Sequence, residues 1–125
     1  MTPFPYSVGI NTLLCDAKIY MHQHEIHHLP VIDGDNIVGL IDARVFENQN
    51  YESIGDLNLS SPQVFDLNER LDNVLEIMAD KRLDTVLITK NSKLVGIFTE
   101  SDAYMHFSRY LREEFGPHGG GDNAA

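Results

Sequence analysis

Leu13, Leu14, Ala17, Tyr20 and Met21 recur at helical spacing, and so do Leu71, Val74, Leu75 and Met78. A polar stretch able to cap a helix precedes each group, Asn11-Thr12 in one case and Asn68-Glu69 in the other. Short β-branched runs follow: Leu29-Pro-Val-Ile32 and Ile37-Val-Gly-Leu-Ile41, then Val86-Leu-Ile-Thr89 and Leu94-Val-Gly-Ile-Phe98. The tight turns Asp33-Gly-Asp-Asn36 and Lys90-Asn-Ser-Lys93 fold each pair into a hairpin. A second helix is expected after each hairpin. It is short after Asp42 and longer from about Glu100 to Phe115, where Ala103, Phe107, Tyr110 and Leu111 form an apolar stripe.

The same order of elements thus occurs twice. An ungapped shift of 57 residues pairs Pro5 with Pro62, Asn11 with Asn68, Leu14 with Leu71, Met21 with Met78, Val38 with Val95 and Gly39 with Gly96. Elsewhere it sets apolar on apolar: Val8 on Phe65, Leu29 on Val86, Val31 on Ile88, Ile41 on Phe98. A β-α-β-β-α unit of this size buries too little of its own surface to be stable alone. The expected fold is therefore α/β of the α+β type, two such repeats packed about a pseudo-twofold axis with the hairpin sheets facing inward between flanking helices. Residues 1–57 form the first repeat with an N-terminal strand and a polar connector over Glu47–Gly55; residues 58–115 form the second; 116–125 form a disordered tail.

Composition narrows the function classes. Nineteen Asp+Glu against nine Lys+Arg give a formal charge of −10, which repels nucleic acid and anionic lipid alike. The single cysteine, Cys15, excludes an intramolecular disulfide and a four-thiolate zinc site, and among Leu13, Leu14 and Ala17 it reads as a core residue. No apolar run approaches the roughly 18–20 residues of a membrane span, so the reading is a soluble, cytoplasmic chain. No Ser-His-Asp arrangement, Walker loop or paired-carboxylate spacing stands out, and enzyme activity is not expected.

The strand His28-Leu-Pro-Val-Ile32, the turn, and Val38-Gly-Leu-Ile41, with Val95-Gly-Ile-Phe-Thr-Glu-Ser-Asp102 in the second copy, resemble the cystathionine-beta-synthase (CBS) domain in its tandem form, the Bateman module. The resemblance spans residues from about 4 to 115. It implies a stand-alone regulatory sensor that binds an adenosine compound (AMP, ADP, ATP or S-adenosylmethionine) in a cleft between repeats, dimerises, and signals to an unknown protein partner. No resident cofactor is implied.

The second copy carries the family's ribose-phosphate signature as Gly96, Thr99, Ser101 and Asp102. The chemistry can be argued from the residues themselves. A helix starting near Thr99 presents backbone N–H groups and a partial positive charge to a phosphate. The Thr99 and Ser101 hydroxyls add neutral donors, Asp102 can accept both hydroxyls of a ribose diol, and Gly96 lets a flat group approach the strand. The same residues also read as an ordinary N-cap and a first-turn acid. By analogy with the family's pocket, Val64, Phe65 and Leu87 wall the base, and His27 or His28, just before the strand, faces the phosphates. The first copy has Asp42, Arg44 and Val45 where the second has Thr99, Ser101 and Asp102. One site per chain is expected, with Arg44 filling or salt-bridging the other cleft.

His22, His24, His27 and His28 would share a helix face, and offer a zinc or nickel site, only if the first helix ran on through them. If it ends near His24, then His27 and His28 point to opposite sides of a strand. Two further readings remain open beside the nucleotide sensor: a ligand-free dimerisation or interaction module, and a histidine-cluster metal binder.

Overall fold

Helix α1 (Leu14–Gln23) buries Leu14, Ala17 and Met21, one line along its length, and α2 (Leu71–Lys81) buries Val74 and Met78 in the same way. Both helices close through a left-handed residue at the same repeat position, Glu25 at φ 53° and Arg82 at φ 54°. The next amide then bonds back into the helix, Ile26 N to Met21 O at 3.0 Å and Leu83 N to Met78 O at 2.8 Å. The structure is a computed structural model and describes residues 2–3, 5–47, 53–57, 59 and 61–116. The glycine-rich tail from 117 onward and residues 48–52 of the connector lie outside the described residues.

Among the described residues seven strands form two sheets. These are β1 (Thr2–Pro3), β2 (Val8–Gly9), β3 (His28–Asp33), β4 (Asn36–Asp42), β5 (Val64–Asp66), β6 (Thr85–Lys90) and β7 (Lys93–Thr99). One sheet has the order β2-β3-β4 and the other β1-β7-β6-β5. The duplication holds at the level of register. His28 pairs with Asp42 as Thr85 pairs with Thr99, Val8 with Val31 as Phe65 with Ile88, and the hairpins shift register at Val31/Ile32 and at Ile88/Thr89. All three correspondences carry the 57-residue offset read from the sequence.

Each repeat has its own core. Leu29, Val31 and Ile41 pack with Leu14, Ala17 and Met21; Phe65, Val86, Ile88 and Phe98 pack with Val74 and Met78. The opposite sheet faces carry Pro30 and Leu87, also fully buried, together with His28 and Thr85. His28 Nε2 lies 3.2 Å from Thr85 Oγ1. Two residues that the repeat makes equivalent can touch only close to the axis relating the copies, so this contact marks the pseudo-twofold.

The repeats are interlocked as well as stacked. The N-terminal strand β1 crosses to the second repeat and pairs antiparallel with β7, Pro3 opposite Gly96. In the counterpart place Leu59 lies over Gly39, so closely that a Cβ there would sit 2.6 Å from Leu59 Cδ1. Only glycine leaves room for that crossing chain.

Three expectations need correction. Cys15 is exposed: it follows Leu14 and so sits about 100° round from the buried line, while Leu13, 49% exposed, is the N-cap and does not widen the apolar face. The connector is not wholly polar in its role, because Ile54, in a 3-10 turn over Ile54–Asp56, is fully buried in the first core. The last helix, α3 (Glu100–Phe115), has no buried residue. Phe107, Tyr110 and Leu111 of its apolar stripe, expected to serve partly as core and partly as subunit contact, are 62%, 53% and 38% exposed.

Candidate functional site

The strand β7 ends at Thr99, and α3 begins at Glu100, so one residue both closes the sheet and caps the helix. Thr99 N donates to Asp102 Oδ2 at 3.0 Å, the Thr99 hydroxyl donates to the same oxygen at 3.3 Å, and Asp102 N donates to Thr99 Oγ1 at 3.4 Å. This reciprocal capping box fixes the first turn of α3. The Glu100 amide donates to Asp84 O at 3.0 Å and ties that turn to the start of β6. Ser101 is exposed beside it. The α3 N-terminus is thereby held next to Thr85, the register partner of Thr99, and so next to His28 of the other repeat.

Val64 pairs with Leu87, and Leu87 with Ile97, so these three line up across the sheet on the inter-repeat face that also carries Thr85 and Thr99. The structure therefore brings Thr99, Ser101, Asp102, Leu87, Val64 and His28 to one side of the second sheet. Phe65 points the other way, into the core with Val74 and Met78. Gly96 is buried in β7 under the crossing strand β1. His27, in the bend before β3, is exposed and lines a depression away from the His28–Thr85 contact.

The first copy is built differently at the matching place. Asp42 stands where Thr99 does, and Arg44 binds it by Nη2 to Oδ2 at 2.7 Å, by Nε to both carboxylate oxygens at 3.2 Å and by its backbone amide to Oδ1 at 2.9 Å. The bonded Arg44 side chain holds the Asp42 carboxyl below the usual carboxylate range against the partial burial that raises it, and the charge on nearby His28 adds slightly in the same direction. The guanidinium lies largely in solvent, its side chain 82% exposed. A 3-10 turn over Ala43–Glu47 follows in place of an α-helix. As expected from the sequence, Arg44 makes a salt bridge at the degenerate position.

The four clustered histidines do not converge. α1 ends at Gln23, His24 is its C-cap and stacks on Tyr6 at 4.1 Å between ring centroids, and His28 turns toward Thr85. His22 and His27 line a separate open depression of about 1200 Å³ between α1 and the 3-10 turn, with Lys18, Ile19, Ile26 and Phe46. Among the described residues no three His, Cys, Asp or Glu side chains are placed to hold a metal ion. The sequence pattern singled out no depression here, although it led us to expect only a short helix after Asp42, where the described residues form a 3-10 turn. Among the described residues no helix is long and apolar enough to cross a membrane.

The sequence pattern of the CBS domain matches residues 1–44 and 54–108. Hypoxic response protein 1 of Mycobacterium tuberculosis is 27% identical over 117 residues, covering 86% of this chain and 82% of that protein. A crystal structure described as Hypoxic Response Protein I with two coordinated zinc ions is similar at a TM-score of 0.70 and 29% identity, over 85% of this chain and 93% of that one. The structure of CBSX2 in complex with AMP is similar at a TM-score of 0.75 and 21% identity, over 90% and 95% of the two chains. A CBS domain pair in complex with 5′-methylthioadenosine and S-adenosylmethionine is similar at 0.72 and 24% identity, over 82% and 91%. The duplicated register, the contact across the pseudo-twofold and the matched sequence pattern agree, and the chain belongs to the CBS domain family as a tandem pair of its repeats.

Proposed function

We propose that the chain is a regulatory module rather than a catalyst. It binds one adenosine nucleotide between its repeats, works as a cytoplasmic homodimer, and reports the ligand to a protein partner through a change of shape. The observation that carries this reading is the position of the α3 N-terminus, which sets Thr99, Ser101 and Asp102 on the inter-repeat face beside the cross-repeat pair His28–Thr85. A phosphate at that end meets the helix dipole, the hydroxyls and the His28 imidazole. Asp102 takes the ribose hydroxyls while continuing to cap α3, and Val64, backed by the buried Leu87, supplies an apolar wall for the base. The solved complexes of similar pairs with AMP, and with 5′-methylthioadenosine and S-adenosylmethionine, support this ligand class. The Asp42–Arg44 pair at the equivalent place in the first copy supports one site per chain.

Thermal shift against AMP, ADP, ATP, S-adenosylmethionine and zinc tests the reading. A ligand at 100 times its dissociation constant adds about 2.7 kcal/mol, which raises the melting temperature of a chain this size by about 10 °C. A second reading is favoured by one feature: the capping box and the Asp42–Arg44 pair give both helix starts a purely structural role, as an interaction module without a ligand needs. Stabilisation by none of the nucleosides would move the function there. Stabilisation by zinc alone would move it to the histidine-rich segment.

A further inference from the structure

The two repeats share one backbone turn into their first helix. Ile10 N donates to Ile32 O at 3.0 Å and Leu67 N to Thr89 O at 2.8 Å; Thr12 N donates to Gly9 O at 3.1 Å and Glu69 N to Asp66 O at 2.9 Å. The N-caps Leu13 and Arg70 are extended alike, at φ −67°, ψ 141° and φ −66°, ψ 135°. What lies on the turn differs. In the first repeat the connector returns to it: Ser53 forms a β-bridge with Leu13, Ile54 N donates to Thr12 O at 3.0 Å, and the Ile54 side chain is buried in the core cluster that holds Leu14, with Ile10 packed against that cluster. Among the described residues nothing bridges Arg70 in this way. The residue at the matching offset, Leu111, is carried on α3 and is not part of the second core. Leu14 is 6% exposed, whereas its counterpart Leu71 is 41% exposed, and so is Leu67, the counterpart of Ile10. The same leucine on the same backbone is covered in one copy and open in the other.

We infer that the turn at 67–71 of the second repeat is a docking seat for an extended segment of a partner protein, which sets a branched aliphatic side chain on Leu67 and Leu71 as Ile54 is set in the first repeat. The inference rests on the protein partner proposed above, gives that partner a surface, and needs no nucleotide. The first repeat supplies the template for the occupant. Its main chain donates to the carbonyl at the place of Thr12 and pairs beside the N-cap, and its aliphatic side chain fills the apolar floor, so affinity comes from the backbone and selectivity from one pocket. A glycine follows the isoleucine in the template, Gly55, where a Cβ would come within 3.3 Å of Ile10 O.

Charge selects the occupant. Asp66, Glu69 and Asp72 are exposed around the second turn, and Arg70 between them is already bonded to Asp72 at 2.8 Å. The counterparts Gly9, Thr12 and Cys15 in the first repeat are uncharged. A segment flanked by Lys or Arg therefore suits this seat. A second copy of the chain, at −10, does not, and residues 117–125 of its own tail carry Asp122 and no large apolar side chain.

The probe is the peptide Lys-Lys-Ser-Ile-Gly-Asp-Leu-Lys-Lys, which keeps the sequence of residues 53–57 with its capping box and adds basic flanks. Titrated into the isotope-labelled full chain without nucleotide, it should shift the amide resonances of residues 67–74 saturably. Leu71→Ala should weaken binding roughly tenfold, and a peptide with Ser in place of Ile should not bind. No saturable shift at 67–74, or equal binding of the Ser peptide, overturns the seat. Thermal unfolding of the full chain identifies rival occupants. Leu14→Ala should lower the melting temperature by about 8–20 °C and Leu71→Ala by no more than about 4 °C. Equal losses would mean that the chain itself fills the seat, and a Leu71→Ala protein that scatters light at a lower mass than the parent would mean that a second copy does; either overturns the proposal. Leu71→Ala should keep the thermal shift given by nucleotide, so failure of the seat and failure of the sensor are read separately.

Discussion

Replacing Asp102 separates the two tasks assigned to it. In Asp102→Ala, Thr99 loses the acceptor of its amide, now at 3.0 Å, and of its hydroxyl, at 3.3 Å. The site is only partly buried, so the loss of the capping box costs about 1–2 kcal/mol, or about 4–8 °C in melting temperature. The ligand effect is larger. Two hydroxyl hydrogen bonds to a carboxylate vanish, and affinity for the adenosine ligand should fall by about 2–4 kcal/mol, roughly 30- to 1000-fold. Asp102→Asn keeps an oxygen that can accept from the Thr99 amide but loses the charge, so stability should fall by less and affinity by about tenfold. The first-copy counterpart Val45→Ala should leave affinity nearly unchanged. Calorimetric titration reads the affinities and thermal unfolding the stabilities. An Asp102→Ala protein that melts lower yet binds as tightly as the parent would refute the ribose role and leave only the cap.

Gly39→Ala forces a Cβ to within 2.6 Å of Leu59 Cδ1 and 2.8 Å of Leu59 Cβ, so urea unfolding should show a loss of about 1–3 kcal/mol. Leu59→Ala in the same chain should restore only part of it because the Leu59 Cβ remains; full parental stability of Gly39→Ala alone would mean that the crossing segment does not lie there. Asp42, its carboxyl held low by Arg44, contributes stability that is present above the ordinary carboxylate value of 3.8 and is lost as pH falls through its lower folded value. Asp42→Asn should therefore unfold slightly more easily than the parent near neutral pH, and the difference should close in acid; a difference that grows below pH 3.8 would contradict the pairing. His28→Ala should weaken nucleotide binding, read by calorimetric titration, whereas His27→Ala, in the bend before β3, should leave it nearly unchanged; equal effects of the two would count against a phosphate contact by His28.

The duplicated pattern was enough to place nearly every element, because the apolar positions of α1 and α2, and of the two hairpins, answer to the same burial demands at the same 57-residue offset. What that pattern did not reveal depends on contacts between segments distant in the chain. The left-handed closures at Glu25 and Arg82 carry no glycine to announce them. The exchange that lays β1 on β7 and Leu59 on Gly39 leaves only two glycines as its trace, and a glycine in a strand has several explanations. Cys15 went astray because apolar neighbours in sequence are not neighbours on a helix face. The site was legible as far as the Thr99–Asp102 spacing, which a plain capping box shares. The dispersal of the clustered histidines followed from where α1 ends. The surplus of apolar side chains on α3 was legible in the sequence, but not that Phe107, Tyr110 and Leu111 all stay exposed, since an apolar stripe looks the same whether or not its own core covers it.

The central claim is one adenosine-nucleotide site per chain, at the start of α3. Titrating AMP, ADP, ATP and S-adenosylmethionine into the protein by calorimetry measures it directly. At least one of these should bind in a single step with one ligand per chain, and Asp102→Ala should weaken it at least thirtyfold. Two ligands per chain, or one ligand whose affinity depends on Asp42 and Arg44 and not on Asp102, would contradict it.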